Sequence, residues 1–409
     1  MKQLFDISNN TFFYLALGFL FLIDFSIAAC YIIFALLAIE LVIFYLSRPR
    51  SQWPELPGYY KYFLLYLLFS LVSTAFAIDK LKSLNDNKEF FIFLLIPLFL
   101  VLLSTRKRLE NSLFIVLVAA VVSSLLGIIT ALIEGGVSLD HRLHGFTSHW
   151  MTYSGLLMMP FIFFFVYLFY EKRKKIKLLV AAALVPILAA ILLSLTRSVW
   201  VGIFISLGFF IVYYKPKILY AAAPAAIILA LLLPASVTGR IVSIFDMKDE
   251  TSKDRLYMVE VAVKIFKEYP LTGVGADNVG EIYNRYKPPE AKQSNPHLHN
   301  NFLQELAERG IFALLSLTAA FVSIFILLIK KVKNSADLEK AVPLGVLFAF
   351  AGFLIAGLFE YNFGDSELKF LLFYFLSIPF LKMAFGDQEP SIRDGFEKRF
   401  RRYGPPKAF

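Results

Sequence analysis

Apolar stretches without a single charged residue, each long enough to cross a lipid bilayer, recur along most of this chain. A membrane-spanning helix needs about 17–25 predominantly apolar residues. Of the 409 residues, 58% are hydrophobic and only 18% are charged, whereas a soluble protein carries roughly a quarter charged residues. The sequence therefore predicts an integral membrane protein, and it excludes an ordinary soluble enzyme. The single cysteine, Cys30, excludes a scaffold held by intramolecular disulfides.

Hydropathy predicts an all-α fold with about 12 transmembrane helices. The clearest windows carry no charge over a full span, and they are Ser112–Ile133, Trp150–Tyr170, Leu178–Thr196, Ser198–Tyr214, Ile218–Val237, Gly310–Ile329 and Ala341–Phe359. The remaining windows are shorter or interrupted, at about Asn10–Ile23, Phe25–Leu46, Tyr62–Ile78, Phe90–Ser104 and Leu368–Phe385.

Basic residues between the spans indicate the orientation. With the N-terminus inside, most of the 41 Lys and Arg residues fall in inner connections and the tail, including Arg106–Arg108 and Lys172–Lys177. The short outer connections hold few, among them Arg142, Arg309 and Lys369. The positive-inside rule therefore predicts that both termini are cytoplasmic. We interpret the net charge of +10 as an orientation signal next to anionic membrane lipids, so nucleic acid is not an expected partner.

One outer connection is much longer than the others and predicts a helical lid, a name kept below for residues 234–298. Its Ser252–Tyr269 stretch begins with the potential N-caps Ser252 and Asp254 and stops before Pro270. Apolar residues recur in it at helical spacing, at Leu256, Val259, Val263 and Phe266. The predicted regions are spans 1–9 in 1–233, the lid in 234–298, spans 10–12 in 299–386 and a basic cytoplasmic tail in 387–409.

All five histidines lie in the outer connections, where an imidazole can accept a proton near neutral pH. His141, His144 and His149 share one connection, and His297 and His299 end the lid. His299 is the stronger candidate because a polar helix start follows it directly. The His-x-His spacing could also hold zinc, but no acidic residue or Cys nearby completes a ligand set. No metal site is therefore predicted.

Two arginines suit an anionic substrate. Arg197 stands between two apolar spans, where a charge is costly unless it faces a polar cavity or a partner. The alternative for Arg197 is an interfacial anchor beside Trp200. Arg255 lies in the lid on the same side as His299. Guanidinium groups bind phosphate oxygens in bidentate fashion, so the pair indicates a phosphorylated substrate.

Nucleotide chemistry has no recognisable site in the sequence. There is no Walker loop, no Rossmann fingerprint and no Asp-x-Asp pair. No cofactor is therefore expected, and the energy for a reaction must come from an activated substrate or from a gradient.

In their order and spacing, these motifs resemble the O-antigen ligase/polymerase family of bacterial membrane glycosyltransferases. The similarity covers about residues 60 to 385. The matching pieces are His299-Asn300 with Gly310 after nine residues, Thr196–Trp200 at the head of a span, and Arg255 followed by Tyr269–Gly275. Where the ligase signature has Gly, Thr or Tyr, this chain has Ala313.

The resemblance implies a GT-C-like enzyme in the bacterial inner membrane with a periplasmic active site. It would move a glycan, with inversion and without metal, from undecaprenyl diphosphate to lipid A–core. His299 would be the general base, while Arg197 and Arg255 would bind the diphosphate. Further candidates for substrate binding are His297, Asn300, which would orient His299, and Asp365, which would hold acceptor hydroxyls. Arg142 and His144 are candidates as well. The sequence does not decide whether they contact the acceptor or are simply exposed to solvent.

The sequence is also compatible with several alternatives. A polymerase of the same family would use the same donor and extend the lipid-linked chain. Protein O-oligosaccharyltransferases share the motif but usually carry an additional soluble C-terminal portion. A polysaccharide flippase or secondary transporter could also place Arg and His along a pathway, although transporters often show paired repeats with broken helices.

Overall fold

In the computed structural model, the described residues are 10–139, 141–220, 235–242, 250–291 and 293–382. The regular elements of these residues are all helices, which confirms the predicted all-α fold. The α-helices are α1 (Asn10–Leu22), α2 (Ile27–Ser47), α3 (Tyr60–Ala75), α4 (Lys80–Asp86), α5 (Leu95–Leu102), α6 (Arg106–Ile133), α7 (Trp150–Leu168), α8 (Lys174–Leu193), α9 (Arg197–Tyr214), α10 (Ala235–Val242), α11 (Glu250–Glu268), α12 (Val279–Tyr286), α13 (Asn301–Asn334), α14 (Asp337–Ala356) and α15 (Ser366–Ser377). Short 3₁₀ helices occupy Arg50–Gln52, Asn87–Leu94, Pro216–Ile218 and Ile378–Phe380.

Within the described residues, 7 helices are long and apolar enough to cross a membrane, in agreement with the predicted integral membrane protein. They are α2, α6, α7, α8, α9, α13 and the Glu339–Ala356 part of α14. Helices α1 and α3 are shorter apolar helices. The predicted span Ile218–Val237 lies largely outside the described residues, as does the predicted tail 387–409. The total of 12 spans and the sidedness stay predictions.

Helices α7 and α14 form the centre of the bundle. They pack against each other along their length, and α14 also packs against α9. A side chain on Gly202 of α9 would bring its Cβ to 2.7 Å from the backbone oxygen of Gly352 in α14. Small residues of this kind let membrane helices approach closely. The loop that follows α14, residues 357–365, is therefore anchored by the most enclosed part of the bundle.

The lid contains the predicted helix, but a different face of that helix is buried. Helix α11 ends before Pro270, as expected, while Ser252 and Asp254 lie inside the helix, so the predicted capping position is wrong. Leu256 is 56% exposed, and Val259 and Val263 are exposed as well. The neighbouring face of α11 packs instead against α12 and the start of α13 and forms the apolar core of the lid. The residues of this core are Met258, Val261, Ala262, Ile265, Val274, Val279, Tyr283, Tyr286, Leu298 and Ala307.

Helix α13 is broken at Gly310, and the lid backbone fills the break. The φ and ψ angles of Gly310 are 76° and −177°, a region that only glycine adopts readily. The backbone N–H of Val274 donates to the oxygen of Ala307, and that of Ile311 donates to the oxygen of Pro270. A Cβ on Gly310 would lie 2.2 Å from a backbone oxygen of the lid. This close approach explains why glycine stands at that position.

Candidate active site

His299 pairs with a carboxylate that the sequence analysis did not identify. Its Nδ1 lies 2.8 Å and 2.9 Å from the two carboxylate oxygens of Glu360. The side chain of Glu360 is only 11% exposed and that of His299 is 21% exposed. The backbone of His299 has a φ of +45°, an uncommon conformation for a residue other than glycine. Strained backbone of this kind is concentrated at functional sites.

Two asparagines attach the loop that carries Glu360 to the start of α13. The Asn300 side-chain oxygen caps α13 by accepting from the N–H groups of Phe302 and Leu303. Its Nδ2 donates to the backbone oxygen of Leu358 over 2.8 Å. Asn301 likewise donates to the Oδ1 of Asn362 over 2.6 Å. Asn300 thus acts on His299 through the helix start and the loop, rather than by a direct bond to the ring.

The charge state of Glu360 fixes the tautomer of His299. Burial alone would raise the pKa of Glu360, but the hydrogen bond from His299 outweighs it, with Arg255 acting in the same direction, and leaves the pKa below its usual value. Glu360 is therefore ionised at neutral pH and can only accept hydrogen bonds. The proton between the two groups is then assigned to Nδ1, which leaves the lone pair of His299 on Nε2.

His297 lies directly beside this pair. The ring centroids of His297 and His299 are 4.2 Å apart, with the ring planes at 65°. The Nδ1 of His297 is buried and has no hydrogen-bond partner among the described residues. Burial, followed by the charge of His299, lowers the pKa of His297 to about 4. His297 is therefore neutral at pH 7 and presents an unsatisfied nitrogen next to His299.

The two predicted phosphate-binding arginines lie on different elements. Arg255 is half-buried on α11, and its positive charge acts on Glu360. Arg197 is the first residue of α9 and is 7% exposed. Trp200 is also buried, and its indole N–H donates to the backbone oxygen of Ile191, which speaks against a simple exposed anchor at this position. Arg255 thus lies within electrostatic reach of Glu360, while binding of a diphosphate by Arg255 and Arg197 together stays a prediction.

The connection between α6 and α7 reaches the site through His149. The Nδ1 of His149 caps α7, and its ring lies 3.9 Å from that of Trp150. Burial lowers the pKa of His149, while the charge of Glu360 acts in the opposite direction, so His149 lies within electrostatic reach of the pair. The guanidinium of Arg142 lies 4.7 Å from the centre of the Trp150 ring. His144 is exposed and contacts its own loop at Thr147.

Asp365 lies where α15 begins and faces α7. Its Oδ2 accepts from the hydroxyl of Thr152 over 2.8 Å. Burial raises the pKa of Asp365 to about 7. Its predicted contact with acceptor hydroxyls stays a prediction.

A second group of charges lies behind the pair and is joined to it by Tyr361. The Tyr361 hydroxyl donates to Glu305 over 3.3 Å, and the Tyr361 backbone N–H donates to Glu360 over 3.1 Å. Arg309, only 5% exposed, binds both Glu305 and Asp86. These groups help line a cavity of about 20 Å³, which has room for about one water molecule. Arg309, which the sequence predicts in a short outer connection, is instead a buried residue of α13.

These features describe a helical membrane protein with a histidine–carboxylate pair beside an arginine-bearing lid. A family model described as O-Antigen ligase matches residues 182–318, the segment that contains Arg197, Arg255 and His299. The match supports the O-antigen ligase/polymerase family, so the resemblance seen in the motifs is confirmed. The family implies a membrane-embedded enzyme that acts on lipid-linked polysaccharide. No curated protein matches the chain at a significant level.

Proposed function

We propose that the protein is an O-antigen ligase that transfers a glycan from undecaprenyl diphosphate to lipid A–core at the periplasmic face of the bacterial inner membrane. The contact between His299 Nδ1 and Glu360 carries this proposal. This contact gives His299 the tautomer that a general base requires. His299 itself lies in the segment that matches the ligase family. The transfer would be inverting and independent of a metal ion.

The proposed reaction needs one proton acceptor and a stabilised leaving group. The acceptor hydroxyl gives its proton to Nε2 of His299 while its oxygen attacks the anomeric carbon. The bond from that carbon to the diphosphate breaks, and attack from the opposite face inverts the configuration. Glu360 stabilises the imidazolium that forms. Arg197 and Arg255 neutralise the charge that develops on the departing diphosphate.

A polymerase of the same family is the second candidate, because it would use the same donor and the same base. Ala313 supports the polymerase as a candidate, because this residue departs from the ligase signature and is fully buried in α13. The two functions differ only in the molecule that supplies the attacking hydroxyl.

One experiment distinguishes these candidates. The purified protein is given lipid-linked glycan together with either lipid A–core or free lipid-linked glycan as acceptor, with no added metal. A ligase extends lipid A–core, whereas a polymerase extends the lipid-linked chain. His299→Ala should abolish transfer in either case, and His141→Ala, at an exposed residue of another connection, should not. Transfer by His299→Ala at the wild-type rate would remove the base assignment.

A further inference from the structure

His297, His299 and Glu360 form a cluster that has the composition of a metal site. One potential ligand atom from each residue lies within 4.8 Å of the other two. The two histidines come from the end of the lid, and Glu360 comes from the loop after α14, 61 residues along the chain from His299. The sequence could not complete this ligand set because the carboxylate is distant in sequence.

The buried Nδ1 of His297 is a second, independent indication of a ligand. This atom has no hydrogen-bond partner among the described residues, and a buried polar atom without a partner is costly. Two histidines and one glutamate are a ligand set of zinc sites that keep a fourth position open. Ligand atoms about 2.0–2.1 Å from a shared tetrahedral zinc ion lie roughly 3.4 Å apart, so zinc would draw these atoms together from separations of up to 4.8 Å.

We propose that this cluster binds one divalent transition-metal ion of the zinc type, and that metal binding and acceptor activation exclude each other at His299. If the metal takes Nε2, it occupies the lone pair that would accept the hydroxyl proton. If it takes Nδ1, it displaces the only N–H proton of the neutral ring, and that proton moves to Nε2, where it occupies the lone pair. The base is lost in both cases. The metal site is independent of the proposed function, and only the inhibition rests on it.

Direct zinc binding tests the site. The full-length protein, purified in detergent without a polyhistidine tag, is titrated with zinc chloride by calorimetry. We expect one zinc ion per chain, weakened at least about tenfold by His297→Ala and by Glu360→Gln. His141→Ala is the matched control and should bind as the wild type does. Co²⁺ in the wild-type protein should give the intense visible absorption of a tetrahedral site, a readout that needs no variant.

Two results would overturn the site: no saturable binding by the wild type, or unchanged affinity in His297→Ala. The inhibition is measured separately, as glycan transfer against zinc concentration with recovery after a chelator is added. Transfer should fall in proportion to occupancy. If zinc binds but transfer is unchanged, the proposed inhibition and the base role of His299 are refuted, while the metal site is retained. If the wild type binds no zinc and the His299→Ala variant lacks transfer activity, only the metal site is refuted.

Discussion

Replacing Glu360 by glutamine should slow glycan transfer strongly while leaving substrate binding almost unchanged. The carboxylate holds Nδ1 of His299 at 2.8 Å and 2.9 Å with its two oxygens. Glutamine keeps the size of the side chain but removes the charge, and its amide nitrogen can donate to Nδ1, which favours the tautomer with the proton on Nε2. Because Glu360 is almost fully buried, solvent cannot replace the lost charge.

Loss of an orienting carboxylate costs about 10⁴ in kcat in a serine protease triad. We expect a fall of about 10²–10⁴ in this protein, which corresponds to about 3–5 kcal/mol of transition-state stabilisation. Steady-state transfer from lipid-linked glycan at saturating acceptor gives kcat, and the dependence of the rate on acceptor concentration gives KM. The control is Glu110→Gln on α6, where the carboxylate is 41% exposed and pairs with Arg106. A Glu360→Gln variant within about threefold of the wild-type kcat, or one whose defect lies wholly in KM, would refute the positioning role.

Three further predictions concern the lid, the donor and the last helix. Gly310→Ala should lower stability by about 2–4 kcal/mol, because the new Cβ would meet the lid backbone at 2.2 Å in a conformation that alanine avoids. Thermal unfolding measures this, with Gly208→Ala as the control, since nothing lies within 4 Å of a Cβ there. Arg255→Lys should weaken binding of undecaprenyl-diphosphate glycan nearly as much as Arg255→Ala, because lysine cannot replace a bidentate fork; full affinity in both variants would remove Arg255 from the diphosphate site. Burial raises the pKa of Asp365 from 3.8 to about 7, so its stabilising contribution is complete below pH 3.8 and is lost as the pH rises through about 7. The Tm of the wild type should therefore fall relative to that of Asp365→Asn as the pH rises from about 4 to about 8, and parallel Tm curves would contradict this.

Hydropathy predicted the seven long apolar helices of the described residues, because crossing a bilayer requires long uncharged stretches, which the sequence displays directly. For the lid helix α11, the sequence predicted the helix but not its buried face. Helix α11 carries apolar residues on two faces, so spacing selected Leu256 and Val259, whereas packing buried Met258 and Val261. Spacing reveals that a helix is amphipathic, but it does not reveal which surface the rest of the chain will cover.

The sequence predicted only those residues of the candidate site that can be recognised from their neighbours in the chain. His299 stood out because it precedes a polar helix start, and Arg255 because it combines with Arg197 and with a histidine on the same predicted side of the membrane. Glu360 gave no signal, since a single glutamate in a short connection looks like any solvated charge. Its role depends on hydrogen bonds that Asn300 and Asn301 make to a loop far away in sequence. Long-range pairing of this kind is invisible to motif spacing.

The break at Gly310 divides the molecule into parts that can change at different rates in evolution. The lid is joined to α13 by main-chain bonds from Val274 to Ala307 and from Ile311 to Pro270, and these bonds do not depend on side-chain identity. Lid side chains can therefore change while the main-chain junction between the lid and α13 stays the same. At Gly273 and Gly310, by contrast, an added Cβ would lie 2.4 Å and 2.2 Å from backbone atoms across the junction. If the protein transfers glycans as proposed, a new specificity would need substitutions on the lid surface alone, and the contact between His299 and Glu360 would be left in place.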